Sequence, residues 1–241
     1  MIHLIWLCFL IQDVVTSDEC GITNFDPGSF QFAINGEKSD VNGPWMAALG
    51  ILRNDTEGDL VFTVTCSGVI LTPKVIITAA HCFFDGLNPE YVRTGVTRID
   101  QANPQDRKIR EYKSHPDRNN KDWYYDLALV FVTEPLNFNG KVSSLCLPKK
   151  PYPHPGDGLG VLVQGWGGDQ FGENGIELTQ VKVNVRSKGE CDYRFSQTGP
   201  ENKDAVQKFL PTLTSSELFC ADSSLDSQAG TCQERPSLAI M

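Results

Sequence analysis

Basic clusters, membrane-length apolar runs and metal-ligand spacings are all missing from this sequence. Its 241 residues carry 21 Lys and Arg against 30 Asp and Glu, a net charge of −9, with no Lys/Arg-rich run. Nucleic acid and anionic bilayers both need a basic face, so neither is expected as a partner. The apolar run Leu4 to Ile11 is too short for the ~20 residues of a membrane-spanning helix. There is no glycine-rich phosphate loop, no His/Cys set with zinc spacing, no internal repeat and no low-complexity tract. No metal and no cofactor is therefore assigned. What remains is an ordinary globular composition, 40% hydrophobic, enough for one large core or two of roughly 100 residues each.

The short run Leu4 to Ile11 is followed by polar residues and the small-residue step Val15-Thr16-Ser17, the pattern of a secretory signal over 1–17. Its leading residues hold only His3 and no Lys or Arg, and a buried N-terminal strand is the alternative. Secretion to the extracellular space makes the cysteines readable, because disulfides persist there. Cys8 leaves with the signal, and Cys20, Cys66, Cys82, Cys146, Cys191, Cys220 and Cys232 remain, an odd number whose pairing the residues alone leave open. Asn54-Asp55-Thr56 is a glycosylation sequon in a polar loop.

Val75 to Thr78 is a β-branched run of a buried strand, and Ala79-Ala80-His81-Cys82 follows it. A histidine between small residues and a cysteine is held in place, with Cys82 able to tie the turn to Cys66 after the alternating run Val61 to Thr65. Asp126 opens the apolar run Leu127 to Val132, the pattern of a strand buried on both faces. His115, before Pro116, and the Pro-flanked His154 read as loop and surface histidines.

In this order, Cys66-Ser67-Gly68-Val69-Ile70-Leu71, Thr78-Ala79-Ala80-His81-Cys82 and Asp126-Leu127-Ala128-Leu129 resemble the chymotrypsin-like serine peptidase family. The resemblance implies an all-β fold of two six-stranded antiparallel β-barrels. It implies His81 as general base and Asp126 as the carboxylate that orients it, with protein or peptide ligands as partners. It also implies the disulfides Cys66 with Cys82, Cys191 with Cys220, and Cys20 with Cys146. The peptidase domain is expected over 33–241, after a turn-rich pro-segment at 18–32. Leu136 to Lys141 and the Pro/Gly-rich 151–160 place the boundary between the halves near Asn139, giving 33–139 and 140–241. Beyond it, Gly160 to Gln164, Gly165-Trp166-Gly167 and alternating Val181, Val183 and Val185 read as strands of the second half. Glu190 to Gln197 suits a short helix, and Leu218 to Ala221 a returning strand.

The pattern breaks at two places. Gly230-Thr231-Cys232-Gln233 resembles the approach to the family's nucleophile, but Glu234, Arg235 and Pro236 then stand where an oxyanion-hole glycine, an aspartate and the serine belong. A proline offers neither hydroxyl nor backbone N–H. Ser237 lies one residue late, which on extended chain moves the hydroxyl roughly 3 Å and to the other face. The second barrel is expected to be incomplete, and Cys232, without a partner, is open to an intermolecular disulfide. Upstream, Phe32 precedes Ala33-Ile34-Asn35-Gly36 where zymogens of the family carry Arg or Lys. Two functions follow: a catalytically inactive homologue that binds partners or modulates a proteolytic cascade, or a serine endopeptidase active in a longer product of the same gene. In the latter, Gly230 at the specificity position favours small or apolar residues at the cleaved bond.

Overall fold

The computed structural model describes residues 20–21, 43–84, 86, 88–118, 124–147, 158–167, 175–187, 189–191, 193 and 220–222. The expected signal, the pro-segment apart from Cys20 and Gly21, His154, Gly230, Cys232 and residues 234–237 lie outside them. Among the described residues, nine strands follow in chain order: β1 Met46–Asn54, β2 Leu60–Thr72, β3 Val75–Thr78, β4 Tyr91–Thr94, β5 Gln105–Ser114, β6 Ala128–Val132, β7 Gly160–Gly165, β8 Thr179–Arg186 and β9 Cys220–Asp222. The first six close into an antiparallel barrel in the order β1-β2-β3-β6-β5-β4, and the last three form a sheet in the order β7-β8-β9. Helix is confined, among the described residues, to a 3-10 turn at Ala80–Phe83 and to residues 189–191 and 193.

Alternation along each strand divides its side chains between cores. On β1, Ala47 and Leu49 point into the barrel with Ile70, Ile76, Val92, Val130 and Val132. Met46 and Ala48 face a second cluster that includes Phe62, Val64, Trp166 and Leu178. On β6, Val130 and Val132 fill the barrel while Leu129 packs outside it with Leu71 and Val75. The continuous apolar run after Asp126 thus belongs to a strand covered on both faces.

Trp166 joins the two sheets. Its backbone N–H donates to Ser67 Oγ at 3.1 Å and its indole N–H to the Thr97 carbonyl at 3.3 Å. Beside it, Ile99 N–H donates to the Ile176 carbonyl and Leu178 N–H to that of Thr97, and Arg98 pairs with Glu177.

Between Cys82 and His115 the sequence is rich in turn residues, among them Asp85-Gly86 and Asn103-Pro104, yet that stretch contains β4 and β5. β4 is only four residues long, and β5 turns Lys108, Arg110, Glu111, Tyr112 and Lys113 to solvent. A barrel stave of mostly exposed charged residues leaves no apolar alternation to read.

Candidate active site

The register of the barrel brings the two candidate residues together. β3 pairs with β6 antiparallel, with Thr78 opposite Ala128. His81 lies three residues beyond that pair on one strand and Asp126 two residues before it on the other, so both side chains leave the same end of the barrel. Thr78 Oγ1 donates to the Ser67 carbonyl at 2.8 Å, and the Cys66–Cys82 disulfide ties the 3-10 turn back to β2.

Asp126 then receives two hydrogen bonds from one residue. The His81 backbone N–H donates to Oδ1 at 2.8 Å, and Nδ1 of its ring lies 2.6 Å from Oδ2. With Nδ1–H donated to the carboxylate, Nε2 of the neutral ring is left as the acceptor, the tautomer a general base requires. The histidine side chain is 48% exposed and the aspartate 14%, so the imidazole faces solvent while the carboxylate is covered.

Two features of this site have no signal in the sequence. Arg118, with a side chain only 8% exposed, places Nε 3.5 Å from Asp126 Oδ1 and lies over the Phe84 ring. Tyr125, just before the aspartate, has φ of 56°, an uncommon value for a residue with a large side chain. Leu127 N–H closes a tight turn on the Tyr125 carbonyl at 2.7 Å, and the Tyr125 ring stacks on His115 at 4.7 Å. His115 is part of the support of that turn: its own N–H donates to the Leu127 carbonyl, and its Nδ1 accepts from Asp117 N–H.

Burial of Asp126 is the largest influence on its carboxyl and opposes ionisation. The hydrogen bond and charge of the His81 ring, the His81 backbone N–H and the Arg118 cation together outweigh it, holding the carboxyl below its ordinary value.

Cys66, Cys82 and His81 place their ligand atoms within 4.8 Å of one another. The two sulfurs are joined in a disulfide and offer no thiolate to a cation. Disulfides also join Cys20 to Cys146 and Cys191 to Cys220. Asn54 is exposed at the end of β1. No helix among the described residues is long and apolar enough to cross a membrane.

Comparison with known proteins places this geometry in context. A family profile described as Trypsin matches residues 34–233. Phenoloxidase-activating factor 2 of Galleria mellonella is 28% identical over 183 residues, 68% of this chain and 57% of that protein. Serine protease snk of Drosophila melanogaster is 31% identical over 155 residues, 61% of this chain and 34% of that protein. Clotting factor G beta subunit of Tachypleus tridentatus is 28% identical over 172 residues, 66% of this chain and 51% of that protein. The chain thus spans about half or less of the length of these relatives. Among solved structures, neuropsin, a serine protease expressed in the limbic system of mouse brain, superposes with a TM-score of 0.59. The superposition covers 80% of this chain and 75% of that one at 23% identity, a likeness of fold.

Proposed function

The chain belongs to the trypsin family, and we propose that it is a secreted homologue without peptidase activity that acts by binding proteins of a proteolytic cascade. The observation that carries this reading is the replacement, in an otherwise recognisable domain, of the residues that perform the attack. The family match runs to Gln233, and the next three positions hold Glu234, Arg235 and Pro236. Acyl transfer needs a hydroxyl beside the base and amide donors at the developing oxyanion. Proline supplies neither, and a glutamate where the oxyanion forms adds charge of the wrong sign.

In this reading His81 and Asp126 keep the geometry of base and orienter because they belong to the closed first barrel. Residues 1–17 are the secretion signal, 18–32 a pro-segment, and 33–241 the domain, divided near Asn139. Phe32 in place of a basic residue removes the usual trypsin-like activation cut. The names of the relatives, a phenoloxidase-activating factor and a clotting factor subunit, support proteins of such cascades as its partners.

A second reading rests on the same pair. The intact His81–Asp126 hydrogen bonds favour an endopeptidase in a longer product of the same gene, in which a Gly-Asp-Ser-Gly-Gly stretch follows Gln233.

The test is turnover and modulation together. The purified protein is assayed on peptide substrates spanning basic, aromatic and small residues at the cleaved bond, then added to a trypsin-family zymogen and its activator. The expected result is hydrolysis no faster than that of His81→Ala, with a changed rate of zymogen activation. Hydrolysis above the His81→Ala level refutes the inactive reading.

A further inference from the structure

The β1–β2 hairpin runs out past the barrel. Along one of its faces the cross-strand pairs are Leu52 with Phe62 and then Asn54 with Leu60. Phe62 is buried in the second cluster with Leu52 packed against it, so the apolar face of the core continues along the hairpin. It ends on Leu60, whose exposure is 62%. Residues directly opposite on an antiparallel pair have Cβ atoms about 4.5–5.5 Å apart on the same face. Asn54 is therefore the immediate neighbour of the exposed leucine.

Asn54 is also the first residue of Asn54-Asp55-Thr56, and both Asn54 and Thr56 are exposed. The middle residue builds the loop: Asp55 Oδ1 accepts from the Glu57 and Asp59 N–H groups, and Asp55 N–H donates to the Asp59 carbonyl. The sequon thus sits on a tied, solvent-facing turn at the end of a strand.

We propose that Asn54 carries an N-linked oligosaccharide whose first sugar lies across Leu60 and covers the outer end of this apolar face. In the transfer, Asn54 Nδ2 forms a bond to the anomeric carbon of a lipid-diphosphate-linked oligosaccharide. The carbon–oxygen bond to the diphosphate breaks, the lipid diphosphate leaves with that electron pair, and the amide gives up one proton. The sugar replaces water over Leu60, so an apolar side chain that would otherwise invite association is shielded.

The inference rests on the reading that the chain enters the secretory pathway, and the experiment separates the two. The protein is expressed in eukaryotic cells behind its own leader and, in parallel, behind a strong heterologous one. Medium and cell pools are treated with peptide N-glycosidase in heavy-oxygen water and mapped by mass spectrometry. The expected result is labelled conversion of Asn54 to Asp in most molecules, abolished in Thr56→Ala. Occupancy behind the heterologous leader alone sinks secretion by the native leader and upholds this inference. An unmodified Asn54 in chain recovered behind the heterologous leader overturns it. Covering of Leu60 has its own readout: Asn54→Gln should bind more of an apolar dye and self-associate more, and Leu60→Ser in that background should reverse both. Equal dye binding with and without the glycan overturns the covering role.

Discussion

At the scale of single residues, the Asp126 carboxylate is the group on which most depends. It accepts a backbone and a ring N–H from His81 and lies beside Arg118. Asp126→Asn keeps the shape and removes the charge, and hydrogen bonds to charged groups contribute about 1.5–3 kcal/mol each; the variant should lose a few kcal/mol of stability at neutral pH. The pH dependence follows from the direction of the shift. The folded carboxyl titrates below its unfolded value of about 3.9, so the ionised group adds stability above that value and the contribution is lost as pH falls through the folded one. Urea midpoints of the two proteins should therefore be well separated at pH 7 and converge below about pH 4. A constant separation down to pH 2.5 contradicts the assignment. Arg118→Gln removes a neighbouring cation and should move the Asp126 titration upward, which carboxyl-carbon NMR reads directly.

At the scale of elements, the turn that presents His81 is fixed from behind. Cys66 and Cys82 are 16 residues apart, and a bridge closing a loop of about that length stabilises by about 3 kcal/mol in the chain-entropy model. The double Ala variant should lose about that much. Gly68 serves the same turn by allowing close approach. A Cβ there would meet Ile76 Cγ2 at 2.8 Å, the Ile77 carbonyl at 2.8 Å and Leu49 Cδ1 at 2.9 Å. The carbonyl belongs to a paired strand and cannot move aside, so Gly68→Ala should cost about 1–3 kcal/mol, read as a lowered Tm. An unchanged Tm would mean that β2 and β3 are looser than the register states.

These elements also mark what the sequence makes legible. The β-branched run of β3, the double-faced run of β6 and the alternating Val183 and Val185 of β8 announce themselves because burial leaves a periodic trace. β5 does not, since its charged side chains reach solvent and its fit is made by pairing to β4 and β6. His81 and Asp126 stand out by resemblance, each beside a recognisable strand. Arg118 and Tyr125 do not, because the one meets the carboxylate through a tertiary contact and the other stands out only by its positive φ. Neither is a periodic pattern.

At the scale of the whole molecule, Trp166 is the large side chain at the junction of the two sheets. It is nearly fully buried there, its backbone N–H donating to the Ser67 hydroxyl and its indole N–H to the Thr97 carbonyl. Removing such a ring typically costs about 3–5 kcal/mol. Trp166→Ala should therefore release amide exchange in β7 and β8 while β1, β2 and β3 stay protected; equal deprotection of both would show one cooperative unit. The closed barrel carries the His81–Asp126 pair, and the proposed loss of function lies in residues 234–236. That separation is why a well-formed His81–Asp126 pair is compatible with the proposed lack of activity.

The measurement that tests this most directly is covalent labelling. The purified protein, with and without cleavage after Phe32 by a chymotrypsin-like peptidase, is incubated with a serine-directed phosphonate and mapped by mass spectrometry. Disulfide mapping of Cys66 with Cys82 establishes in parallel that the barrel is folded. No phosphonylated serine is expected in either form. Labelling of Ser237 that disappears in His81→Ala would contradict the proposed lack of activity.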